Sequence, residues 1–142
     1  MPQENDLPLD EYHRAGREIT NGNPEVYKAL YSRRDDVTVA NPFGPPVRGW
    51  GEVSATLDRA AQNYRDGEIV GFENISTAIA PDLACTVEIE SYRARVGGAE
   101  ELAPVSLRVT TLFRREDGVW KVVHRHADPI TTKRPPQSVI QE

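Results

Sequence analysis

Between positions 9 and 20 the apolar residues Leu9, Tyr12, Ala15, Gly16 and Ile19 recur three and four places apart, the spacing of one helical face. Asn21-Gly22-Asn23 ends that helix. Asn23 is placed to cap the next one, with Pro24 at its first position, where a missing N–H costs nothing. The second helix carries Val26, Tyr27 and Leu30 and is expected to stop near Arg33. A third stripe, Val53, Leu57, Ala60, Ala61 and Tyr64, predicts a helix from Trp50 to Tyr64 that Asp66-Gly67 breaks. Elsewhere the period is two. Residues 36–40 alternate as a short strand, and Asn41-Pro42-Phe43-Gly44-Pro45-Pro46 cannot extend it, so a rigid loop follows. Stretches 68–80, 83–96, 102–115 and 119–127 read as strands, separated by Ala80-Pro81-Asp82, Gly97-Gly98 and the hairpin signal Glu116-Asp117-Gly118. Helices followed by a meander of long strands predict an α+β domain with a curved, antiparallel sheet wrapped over helices. That domain spans 9–128, between a loose arm at 1–8 and a flexible, proline-containing tail at 129–142.

Length agrees with one domain, since 142 residues support a single core. The net charge of −5, with cations clustered only as Arg33-Arg34 and Arg114-Arg115, offers no basic stripe for phosphates and argues against nucleic acid as a partner. No apolar run approaches the ~20 residues of a membrane span. The start, MPQENDLPLDEY, lacks the basic and apolar regions of an export signal, so a cytoplasmic location is expected. Cys85 is the single cysteine, has no internal disulfide partner, and reads as a small apolar residue beside Val87.

Alternation divides each strand into two faces. On 102–115 these are Val105, Leu107, Val109, Thr111 and Phe113 against Ser106, Arg108, Thr110 and Leu112. On 83–96, Val87 and Ile89 oppose Thr86, Glu88, Glu90 and Tyr92. On 119–127, Trp120, Val122, His124 and His126 oppose Lys121, Val123, Arg125 and Ala127. The pattern alone leaves open which face meets the helices, and a single β-bulge would exchange the faces of one strand.

Two stretches carry a family likeness. Asp35-Asp36-Val37-Thr38-Val39-Ala40-Asn41-Pro42-Phe43-Gly44-Pro45-Pro46-Val47-Arg48-Gly49 resembles the segment that bears the catalytic aspartate of ketosteroid isomerases. Residues 108–126, ending Val119-Trp120-Lys121-Val122-Val123-His124-Arg125-His126, are similar to the terminal hairpin of SnoaL-like proteins, a pattern shared by the association domain of calmodulin-dependent kinase II. Together they resemble the SnoaL-like, ketosteroid-isomerase-like branch of the NTF2-like superfamily. The resemblance implies an NTF2-like cone, with three N-terminal helices packed on a curved, mostly antiparallel sheet around one pocket. It does not carry over the isomerase chemistry. The family's catalytic aspartate falls at Asn41, and an amide is no general base near neutral pH. Its oxyanion-hole tyrosine falls at about Ala15, with Tyr12 one turn away, and its oxyanion-hole aspartate at about Thr110. Ketosteroid isomerase activity is therefore not expected.

In that family the concave face lines the pocket. This implies inward Glu88, Glu90, Arg108, Thr110 and Arg125, with Tyr12, Asn41, Phe43 and Trp50 completing the wall. A fully neutralised Arg108–Arg125–Glu88–Glu90 quartet would be structural; an incompletely neutralised one would hold an anion; a desolvated Glu88 or Glu90 would be a base. The candidates for chemistry are Asn41, Glu88, Glu90 and His124. His124 and His126 share a face but lack a third ligand, so no metal and no cofactor is expected. The inward register would leave Leu107, Val109, Phe113, Trp120 and Val122 outside, where a homodimer through the outer sheet face would cover them. The function expected is binding of a small organic ligand bearing a carboxylate or enol. The alternatives are a pocket enzyme of isomerase, dehydratase, cyclase or epoxide hydrolase type, and an assembly domain with a vestigial pocket.

Overall fold

The computed structural model describes residues 6–141. Its elements, in chain order, are α1 (Leu9–Ile19), α2 (Glu25–Leu30), β1 (Thr38–Ala40), β2 (Val47–Arg48), α3 (Trp50–Gln62), β3 (Tyr64–Ile79), β4 (Leu83–Val96), β5 (Ala103–Glu116) and β6 (Val119–Asp128), with an exposed 3₁₀ turn at Pro136–Val139. The α1 stripe lies where its spacing requires, with Tyr12, Ala15, Gly16 and Ile19 buried. Asn23 Oδ1 accepts the Glu25 N–H at 3.1 Å just before α2, but Pro24, not Asn23, occupies the cap position, because the helix starts one residue later than expected. That helix is shorter than expected, because Tyr31 is already extended and bridges Val122 of β6. The third helix also ends early. Tyr64 opens β3 instead of closing α3, and Asp66-Gly67 lie inside the strand at a bulge, with Asp66 at φ 57°.

The strands form one sheet in the order β2-β1-β6-β5-β4-β3. Every pairing is antiparallel except β1 with β6. The edge strand β3 slips register against β4 at three places, between Arg65 and Glu68, Ile69 and Gly71, and Asn74 and Ser76. Bulges bend a strand and raise its twist, so this edge curls over the helices and is a poor template for a further strand.

One more slip decides the site. Leu112 pairs with His124 but Phe113 pairs with Val122, leaving Val123 as an extra residue in β6. Trp120 and Val122 therefore face the helices, and past the bulge Arg125 and Ala127 do so as well. On unbulged β5 the inward set is Leu107, Val109, Thr111 and Phe113, all buried. This corrects the expected register on two counts. Arg108 and Thr110 lie on the convex face, together with His124 and His126. The strip Leu107, Val109, Phe113, Trp120 and Val122, whose exposure motivated an outer-face dimer, is core.

Two apolar clusters fill the cone. One joins the three helices to β1, Phe113, Trp120 and Val122; the other runs along Tyr64, Tyr92, Ala94, Leu107, Val109 and Ala127. Of the arm expected at 1–8, residues 1–5 lie outside the described residues, and Leu7 packs into the first cluster. Among the described residues no helix is long and apolar enough to cross a membrane.

Candidate functional site

The helices and the inner sheet face enclose a cleft whose wall is mostly apolar. Tyr27, Phe43, Tyr64, Phe72 and Tyr92 supply aromatic surface, and Ile19, Val39, Leu57, Ile69 and Leu107 supply aliphatic surface. Counted out to solvent the space is about 550 Å³, but the part that admits the centre of a water-sized molecule is only about 40 Å³. The interior is thus largely closed by its own side chains. Phe43, from the proline-rich loop between β1 and β2, forms the outer wall and remains 47% exposed, its ring 5.6 Å from that of Tyr64. Asn41 also lines the cleft, and its Oδ1 accepts the Phe43 N–H at 3.0 Å. The asparagine thereby holds the turn that presents Phe43.

The polar part of the wall is a chain of buried groups. Arg125 donates from Nη2 to Glu90 Oε1 at 2.7 Å and from Nε to the Tyr12 hydroxyl at 2.9 Å. Tyr12 OH and Thr111 Oγ1 are 2.5 Å apart. The guanidinium also lies 5.2 Å from the Tyr27 ring centre. Burial opposes the Arg125 charge, but neighbouring Glu90 overcomes it and holds the group well above its ordinary range. Burial pushes the Tyr12 phenol up to about 12, the nearby guanidinium only partly offsetting it. A second polar spot is the tyrosine pair, where Tyr92 OH donates to Tyr64 OH at 2.9 Å. Both phenols are raised, chiefly by burial, so they remain neutral donors near pH 7.

Of the residues predicted for the pocket, Asn41, Phe43, Glu90 and Arg125 line the cleft, and Tyr12 supports it through Arg125. Glu88 is inward and buried but lies outside the lining. It bonds His13 Nε2 at 2.8 Å, and the His13 ring stacks on Phe72 with centroids 4.0 Å apart. That contact latches α1 to β4. Trp50 packs at the rim of the core with Arg33 over its ring at 3.5 Å. The expected quartet is therefore split, since Arg108 pairs on the convex face with Asp128 at 2.7 Å. Thr110 is outward; Thr111, one residue further, is the threonine that meets Tyr12. His124 does not reach the cleft either, its Nδ1 being 2.8 Å from Thr38 Oγ1 on the far side of the sheet. Tyr27 and Phe72 carried no sequence signal for the site. Tyr92 did, because it alternates in phase with Glu88 and Glu90 along β4.

The convex histidine gives a prediction in pH. Partial burial, with the neighbouring His126, lowers His124 from its ordinary value. Protonation is then harder in the fold than in the unfolded chain, so the unfolded chain binds more protons once pH falls below about 6.5. Stability from this group is complete above that pH and is lost as pH falls through the lowered folded value. His124→Gln is expected to flatten the melting temperature between pH 7 and 5.5; a wild-type slope retained in the variant would refute the assignment.

Comparison with known proteins agrees with this architecture. A ketosteroid isomerase-like protein from Erwinia carotovora atroseptica aligns at 16% identity with a TM-score of 0.72, covering 87% of this chain and 92% of its own. An NTF2-like superfamily protein from Salmonella enterica aligns at 13% identity and a TM-score of 0.75, covering 95% and 94%. A candidate dehydratase of the NTF2-like family from Streptomyces avermitilis aligns at 20% identity and 0.74, covering 93% and 100%. Identities this low are evidence of shared fold alone. No curated protein matches the sequence. The SnoaL-like domain family matches residues 8–131, most of the chain, and the chain belongs to that family.

Proposed function

We propose that this protein binds a small organic molecule in the cleft, with an oxygen-bearing headgroup set against Arg125 and Glu90. The observation that carries this reading is a charged pair, both members nine-tenths buried, set into an otherwise aromatic and aliphatic wall. Ligand pockets have this composition, a mostly apolar lining with a few polar groups that orient the guest. Steroid isomerisation is not part of the proposal, because the position that would move the proton is Asn41, an amide engaged with its own turn. The candidate dehydratase among the structural neighbours keeps a lyase-type reaction as the second reading. Neutral Tyr64 supports that reading as a hydrogen-bond donor to a developing oxyanion.

A thermal-shift panel of aromatic acids, amides, enols and steroids tests the proposal. A true ligand should raise the wild-type melting temperature. Phe43→Ala removes an exposed wall without opening the core and should weaken binding about tenfold. The double variant Glu90→Met with Arg125→Met replaces the pair by apolar groups of similar size and should abolish the shift. No shift for any compound in the wild type would leave the assembly reading in its place.

A further inference from the structure

Given the pocket reading above, we infer that the headgroup this site accepts is uncharged: a carboxamide, a lactam or an enol with a hydrogen-bond acceptor beside a donor, and not a carboxylate. Three observations lead there. The only charged side chains among the described lining residues are Glu90 and Arg125, one of each sign. They are bonded to each other at 2.7 Å, so the wall presents a net charge of zero. A carboxylate placed beside the pair would gain attraction from the guanidinium and meet repulsion from Glu90 at nearly the same distance. Its own desolvation, which is large for an ion, would then go uncompensated.

The second observation is the hydrogen-bonding capacity the pair has left. Arg125 uses Nε on Tyr12 and Nη2 on Glu90, and Glu90 uses Oε1 on Arg125. Among the described residues, Arg125 Nη1 and Glu90 Oε2 have no hydrogen-bond partner. An N–H donor and a carboxylate acceptor thus stand on neighbouring groups of one wall. Their complement is a planar group with C=O next to N–H or O–H, as in an amide or the enol of a 1,3-dicarbonyl. A carboxylate has only acceptors and would leave Glu90 Oε2 unanswered.

The third observation concerns the rest of the guest. Tyr64 accepts from Tyr92, so its own hydroxyl proton is available as a second neutral donor on the same lining. The surrounding rings of Tyr27, Phe43, Tyr64, Phe72 and Tyr92 favour a flat, conjugated body over a bulky aliphatic one. The ligand class is therefore a neutral aromatic or conjugated amide, lactam or enol.

Matched pairs test this in the wild-type protein. Benzamide with benzoate, 2-naphthamide with 2-naphthoate, and indole-2-carboxamide with indole-2-carboxylate differ in charge and hardly in shape. Calorimetric titration at pH 7.5 should find the amide of the preferred ring at least tenfold tighter than its carboxylate. Glu90→Gln makes the wall cationic and should reverse the order, the carboxylate gaining at least tenfold. A wild-type protein that binds the carboxylate as tightly as the amide, or more tightly, would overturn the inference and leave the pocket reading intact. Binding of neither member of any pair would count against the pocket reading itself. The wild-type comparison decides the matter even if Glu90→Gln proves too unstable to titrate.

Discussion

Replacing Glu90 with alanine is expected to lower unfolding free energy by about 3–5 kcal/mol, read from guanidinium denaturation of the purified chain. The size follows from what is left behind. Arg125 is 8% exposed, and its charge is compensated in the fold mainly by Glu90, 2.7 Å away. Without the carboxylate a guanidinium sits in an apolar wall with a phenol and a ring face as its nearest company. Arg125→Met should be damaging for the mirror-image reason, stranding a carboxylate that is 3% exposed. The double replacement by methionine should recover most of the loss, because neither ion then has to be desolvated. A double-mutant cycle built on Glu90→Met and Arg125→Met would express that recovery as a coupling of several kcal/mol. Loss of less than about 1 kcal/mol in Glu90→Ala would mean that water reaches Arg125 freely, and the closed interior described here would be wrong.

Gly67→Ala is the second large effect, about 3 kcal/mol at the upper end of what overpacking costs. A methyl group there would fall well inside van der Waals contact of Thr20 Oγ1 and Cβ and lie 3.0 Å from the Thr20 carbonyl oxygen. None of these atoms can yield readily. Thr20 is 1% exposed, and its hydroxyl donates to the Arg17 carbonyl at 2.8 Å, which ties it to the last turn of α1. Gly67 is itself held to that turn, its N–H donating to Asn21 Oδ1 at 3.2 Å. The bulge at Asp66-Gly67 is thus where β3 passes directly over the end of α1, and the missing side chain permits the approach. Adding Thr20→Gly to Gly67→Ala removes the two closest atoms and should restore part of the stability. A singly substituted protein that melts like the wild type would show that α1 and β3 separate easily at this point.

Much of this molecule is readable without its structure, for a definite reason. Helical stripes and strand alternation are local properties, so α1, α3 and the four long strands follow from spacings within each segment. The division of β4 into two faces follows too, and the family likeness put Glu88 and Glu90 on the inner one, where Thr86, Glu88, Glu90 and Tyr92 are buried in phase. The family likeness of the loop at 41–46 and of the last hairpin pointed to the cone for the same reason, since those motifs are contiguous.

What the chain alone left undecided is every choice that depends on a distant partner. Either face of β5 is consistent with its alternation, and only packing against distant segments makes one face inner: Phe113 meets the helices, while Leu107 and Val109 pack with Tyr64, Tyr92 and Ala127 of other strands. The extra residue Val123 carries no mark in the sequence, yet it turns Arg125 into the cone while the same strand begins with Trp120 inward. The slips in β3 brought Phe72 to the pocket in the same unannounced way. Tyr12 and Thr111 are 99 positions apart, and Arg125 and Tyr12 are 113 apart. A period of two or 3.6 residues says which side chains share a face, but register and bulges are settled by packing between segments. The pocket's chemistry lies in those junctions, so only the tertiary structure decides it.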